Sequence, residues 1–371
     1  MDATSLSRLR NLWLWLVICI TTACASLPPP TATTPSITPP LLPAATTPPA
    51  LVYLDTTGAV ALLEFCQALN RGHAWDEAAV RQMVTSPPYQ TLIAHHSRTD
   101  ASITAETFVE MLLALRNGEQ FVSDSERLTR IHAAYRSACA QVSTLQARLE
   151  RLTDPGLIER AAARARKALP PQAQVEATVY FLPDGRSSGY VVDAAIVLDL
   201  LQVSSTAEVE GTLAHELHHI GASSLLPEPC PEPGLEAALE TLVDMVQEGA
   251  ATYWVDGWRA SPTQADFALV GAFLQDALSG QLDADEMARR QAGLVQGWRG
   301  PLYQVGNKMI ATLVAARGDD WVQGHLGDPV GLLRAWQVET SPECELHPAV
   351  LQLLKEAETQ GKCTAWFSSE R

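Results

Sequence analysis

The chain has 371 residues, 47% of them hydrophobic and 18% charged, with a formal net charge of −16. That is a globular balance with aromatic residues enough for a sizeable core. The acidity argues against a nucleic-acid binder and against a basic membrane-surface protein.

The first residues read as a targeting segment. Arg8 and Arg10 precede an apolar run over 12–20, LWLWLVICI. A bilayer-spanning helix needs about 20 residues, so this run fits the apolar region of a secretory signal peptide. Thr21-Thr22-Ala23-Cys24 resembles a bacterial lipobox, in which the cysteine is acylated and becomes the new N-terminus. Ala23-Cys24-Ala25 also reads as an A-x-A site whose cleavage releases a soluble protein. We expect a lipoprotein-type signal peptide over 1–23 and lipidation at Cys24. The product is an exported, cell-envelope lipoprotein anchored in the membrane and facing outside the cytoplasm.

Residues 24–50 form a Pro/Thr-rich linker; from 27 onward they hold nine prolines, six threonines and no charge. Such a segment builds no core and prefers extended polyproline II, on the order of 70 Å long. A single domain is expected over 51–371, with a helical part to about 170 and a catalytic part from about 171. It holds Cys66, Cys139, Cys230, Cys344 and Cys363, so at most two disulfides form and one thiol remains. Cys344 and Cys363 are near in sequence and could pair, but spacing does not fix the connectivity.

From residue 51 the pattern is mostly helical, with amphipathic stretches at 58–70, 76–84, 104–117 and 124–152. Asp154-Pro155 marks a stop and restart, with Asp as N-cap and Pro at the first helical position. β-rich runs follow at 175–182 and 195–198, read as two strands of a small sheet. Either strand could bind an extended peptide by edge pairing. Ser205 and Glu208 form a capping box that starts a helix ending at Gly221. A loop over 227–233 leads to a long helix at 235–258. Further helices break at Gly280, Gly300-Pro301, Gly318 and Pro329. The fold class is therefore mainly α (α+β), with a small sheet before the helix that carries His215.

That helix contains His215-Glu216-Leu217-His218-His219, an H-E-x-x-H pattern. Residues four apart share a helix face, so His215 and His219 project together and can hold one zinc ion. Glu216 lies about 100° round, unsuited to be a ligand but able to reach a metal-bound water. His218 points about 60° to the other side and reads as a supporting or surface residue. A hydrolytic zinc needs three protein ligands and an open position. Candidates for the third are Glu236, Glu240, Asp244 and Glu248, spaced by four on the next helix. They cannot all face one ion. Glu248 is favoured because Gly249-Ala250-Ala251 would let its helix approach the His215 helix.

H-E-x-x-H followed by E-G-x-A on the next helix resembles the gluzincin metallopeptidases. More closely, it is similar to bacterial families of zinc-dependent peptidases such as DUF5700 and DUF2268. Those also carry a Y-x-x-G-x-x-M helix, here Tyr303 to Met309. The resemblance covers roughly 175–340. It implies a zincin-like fold and a zinc metallopeptidase acting on peptides or proteins. Zn2+ is held by His215, His219 and Glu248, with Glu216 as general base and Tyr303 as a donor to the oxyanion. His325, His347 and Tyr253 are weaker candidates for that donor. One departure is that 28 residues separate His219 from Glu248, more than in thermolysin-like enzymes, against 20 for Glu240. The rival is a non-enzymatic helical binding lipoprotein with incidental histidines or a structural metal. Glu216 discriminates, since a structural site needs no carboxylate beside its first ligand.

Overall fold

The computed structural model describes residues 50–367 apart from 74, 297–298 and 342–345. The expected signal peptide and linker, Ala50 aside, lie outside the described residues, as does Cys344.

One mixed sheet comprises β1 (Leu51–Asp55), β2 (Glu176–Leu182), β3 (Gly189–Val192) and β4 (Ala195–Asp199), in the order β1-β2-β4-β3. Helices α1 (Thr57–Asn70), α2 (Glu77–Val84), α3 (Pro87–Ser97), α4 (Ala105–Asn117), α5 (Glu126–Ala140), α6 (Val142–Leu152) and α7 (Pro155–Lys167) precede β2. After the sheet come α8 (Thr206–Ser223), α9 (Pro233–Ala250), α10 (Gln264–Leu278) and α11 (Ala284–Val295). The chain continues as α12 (Pro301–Arg317), α13 (Asp319–Gly324), α14 (Pro329–Glu339) and α15 (Pro348–Thr359). The protein is mainly α with a small sheet, as its sequence predicts. Among the described residues, no helix is long and apolar enough to cross a membrane.

Register shows how the sheet is covered. Phe181 pairs with Leu198 and Leu198 with Gly189, so these three share a face. A Cβ on Gly189 would stand 2.9 Å from Thr212 of α8, which places α8 on that face. Leu182 points the other way and would stand 3.2 Å from a Cβ on Gly58 of α1. His95 of α3 stacks on Tyr190 at 3.7 Å on that second face. Val179 to Leu182 and Ile196 to Leu198 are buried without alternation, as strands covered on both faces must be.

Several expectations are corrected. Ahead of the first expected helix the described residues hold a strand that the sequence pattern does not anticipate: β1 pairs in parallel with β2. The second β-rich region is a hairpin of β3 and β4. β2 and β4 are interior strands with no free edge, so neither can take a peptide by edge pairing; the antiparallel edge is β3. The stretch 124–152 is two helices that meet at Gln141, whose backbone leaves the helical region at φ −118°. The helix expected over 235–258 is regular only to Ala250 and becomes a π turn over Ala251–Val255. Cys363 pairs with Cys230, not Cys344, and Cys66 pairs with Cys139. Loops this long make each bridge worth about 4–5 kcal/mol in the chain-entropy picture.

Candidate metal centre

Helix α8 is started by its cap. Ser205 Oγ accepts from the Glu208 amide at 3.2 Å, and Glu208 Oε2 accepts from the Ser205 amide at 3.1 Å. Val209, Leu213 and Leu217 are fully buried and fix the helix against the core. Gly221 does not stop the helix, which runs on to Ser223. Its lack of a side chain is a packing requirement, because a Cβ there would collide with Leu169. Of the two readings of His218 the surface one is excluded: it is fully buried, and burial pushes its pKa down to about 3.

His215 and His219 stand one turn apart with ring centroids 4.7 Å from each other. Glu248 of α9 faces both, its Oε2 lying 3.1 Å from His215 Nε2 and 3.4 Å from His219 Nε2. One ligand atom from each residue lies within 4.8 Å of the others. Two donors each bound to zinc at its usual N and O distances, at a tetrahedral angle, lie about 3.3 Å apart. The donor set and the two measured edges therefore fit a zinc ion. The three side chains are 13–19% exposed, so solvent reaches the group.

Glu240 does not join this group; it is exposed, two turns before Glu248. Asp244 lies one turn before Glu248, and burial with the Glu248 charge pushes it up to about 7. Burial works against charge on His215, yet hydrogen bonds to Asp256 and Glu248 hold it well above the ordinary histidine value. Burial likewise opposes charge on Glu248, but His219 and His215 hold it well below the usual carboxylate range. Burial raises Glu216.

Asp256 is the residue that sequence reasoning missed. Its carboxylate lies 3.2 Å from His215 Nδ1, where it can accept that nitrogen's proton in a hydrogen bond and orient the ring so that Nε2 is the atom offered to a metal. The π turn sets this up. The Asp256 amide donates to the Ala251 carbonyl at 3.0 Å, five residues back, and so shifts the helical phase. Arg164 of α7 donates from Nε to the Val255 carbonyl at 3.0 Å and ties the turn to α7. No periodicity in the sequence reports a π turn. An aspartate just beyond E-G-A-A was the one available signal.

Tyr303 of α12 lies near Glu248, and burial followed by the Glu248 charge raises its pKa. The weaker candidates have other partners. His325 stacks on Trp321 at 4.0 Å and bonds its carbonyl. His347 caps α15 through the Ala349 amide. Tyr253 lies under the Arg259 guanidinium at 3.6 Å. The expected approach of Gly249 to the His215 helix is corrected as well. Gly249 packs on Gly306 of α12, the glycine of the Y-x-x-G-x-x-M stretch.

Two imidazoles on one helix face and a carboxylate from the next helix, with an aspartate behind the first imidazole, make a group that could hold a metal ion. The model of a family described as "Putative zinc dependent peptidase" (DUF5700) matches residues 80–338, most of the chain. The chain belongs to that family. No curated protein and no solved structure matches it.

Proposed function

We propose that this protein is a peptidase that hydrolyses peptide bonds with zinc held by His215, His219 and Glu248. The reading rests on one observation, the Glu248 carboxylate at 3.1 and 3.4 Å from two imidazoles of an H-E-x-x-H helix. The family match supports it. A bound zinc ion lowers the pKa of its water toward about 7 and polarises a carbonyl.

The chain's own residues do the rest. Asp256 holds His215 in the tautomer that offers Nε2. Glu216, its pKa raised by burial, takes the proton of the attacking water and passes it to the leaving amine. The Tyr303 hydroxyl donates to the carbonyl oxygen as negative charge develops on it. The β3 edge, packed beside α8, offers backbone groups to an extended substrate. Export and tethering through a lipidated Cys24, on the Pro/Thr-rich linker, would place this activity outside the cytoplasm at the membrane.

Replacing Glu216 with Gln tests the assignment. The variant should keep its zinc and lose peptide cleavage by a factor of about 10² or more. Cleavage retained at the wild-type rate would remove Glu216 from the mechanism.

A further inference from the structure

A cavity of about 310 Å³ lies against the helix that supplies Glu248. Glu236, Glu240 and Asp244 of α9 line it in successive turns, the last of them one turn before Glu248. Leu226, Pro227 and Trp366 give the rest of the lining its apolar character. Trp366 is fixed there, donating from Nε1 to the Glu228 carbonyl at 2.9 Å. The Cys230–Cys363 bridge ties its short helical turn to the loop before α9. The size is at the lower end for ligand pockets, about 300–1,000 Å³, and suits one long side chain.

The carboxylates are arranged at a cost. Like charges four apart on a helix repel by a few tenths of a kcal/mol per pair. Among the described residues no lysine or arginine neutralises them. The charges that act on Asp244 are Glu248, Glu240 and His219. His219 is neutral once it holds a metal. The nearby Arg290 is engaged elsewhere, with Asp276 at 2.8 Å. Anionic along α9 and apolar-walled, the cavity suits a cation with a hydrocarbon stem.

We infer that this cavity is the subsite for a lysine or arginine side chain of the substrate, next to the bond that is cut. The inference rests on the peptidase reading for its placement beside the reacting bond. The alkyl stem lies along Leu226 and Pro227, as such stems do on apolar surface. The charged head meets Glu240, with Glu236 and Asp244 one turn to either side, and the Trp366 ring offers a further attraction to a cation. A glutamate side chain would meet like charge on the α9 carboxylates, and a neutral one would leave that charge unpaired. The pocket therefore selects by exclusion as well as by attraction.

The test uses the zinc-loaded full chain and the peptides acetyl-Ala-Ala-X-Ala-Ala-Ala-amide, with X lysine, arginine, norleucine or glutamate. Cleavage is followed with the wild type, and binding by calorimetry with Glu216→Gln. Lysine and arginine peptides should lead norleucine in both assays, with glutamate last. Glu236→Gln and Glu240→Gln should each reduce that lead by up to about fivefold, the range for partly exposed charge pairs. Glu240→Lys should abolish or reverse it, with zinc content as the control for folding.

Basic-selective binding without cleavage of any peptide would uphold the cavity and sink the peptidase reading. Cleavage or binding indifferent to X, or a lead unchanged in Glu240→Lys, would overturn the cavity and leave the metal site standing.

Discussion

Gly249 and Gly306 meet backbone to backbone where α9 crosses α12. A Cβ on Gly249 would collide with the Gly306 carbonyl, and one on Gly306 would collide with the Met245 carbonyl. This contact sets the distance between Glu248, one residue before Gly249, and Tyr303, one turn before Gly306. Asn307 locks the same junction. It is fully buried, donates to Thr252 Oγ1 at 3.0 Å and accepts from the Ala260 amide at 2.9 Å. The E-G and Y-x-x-G stretches are thus two sides of one joint.

Gly306→Ala should destabilise the protein. Replacing a mid-helix glycine by alanine gains up to about 1 kcal/mol in propensity. Forcing a methyl into a backbone contact costs about 1–3 kcal/mol, so the clash should win. Denaturant unfolding measures the balance, and a stabilised Gly306→Ala would mean that the helices are not in this contact.

Asp256→Asn should weaken zinc binding by about 10–100-fold while leaving the fold intact, because it removes the carboxylate that orients His215. Competition with a zinc chelator measures it. Unchanged affinity would show that the contact at 3.2 Å does not act on the metal.

Acid should weaken the site and alkali should favour it. In the metal-free protein, hydrogen bonds with Asp256 and Glu248 overcome burial to raise His215, and the Glu248 charge raises His219 from the ordinary 6.5. A raised folded pKa gives stability that is complete below the unfolded value and is lost as pH rises through the folded one. Glu248 is depressed, so its contribution is present above the unfolded carboxylate value and is lost as pH falls through the folded one. The metal-free protein should therefore lose stability from about pH 6.5 upward. Zinc requires neutral imidazoles and should stabilise most in that same range. Unfolding with and without zinc at about pH 6 and about pH 8 checks the sign. A larger zinc effect at the lower pH would contradict it.

Local chemistry was legible in the sequence, and long-range pairing was not. The Ser205–Glu208 cap, the Asp154 cap and the spacing of His215 and His219 are decided within one or two turns, and each appears as read. β1 is different. Its pairing with β2 spans more than a hundred residues of helix, and Leu51 and Tyr53 are about half exposed, so no buried alternation announces a strand. Asp256 depends on the phase shift of a π turn. Gly249 looked like a spacer toward the His215 helix because its true partner, Gly306, lies on a helix far along the chain. The Cys230–Cys363 bridge likewise joins segments that only the folded chain brings together.

Zinc content of the purified protein tests the central claim most directly, with the wild type beside His219→Ala, Glu248→Gln and Glu240→Gln. The geometry predicts one zinc per chain in the wild type and in Glu240→Gln, almost none in His219→Ala, and a strong loss in Glu248→Gln. Equal zinc in the wild type and His219→Ala, or none in the wild type supplied with the metal, would contradict the account.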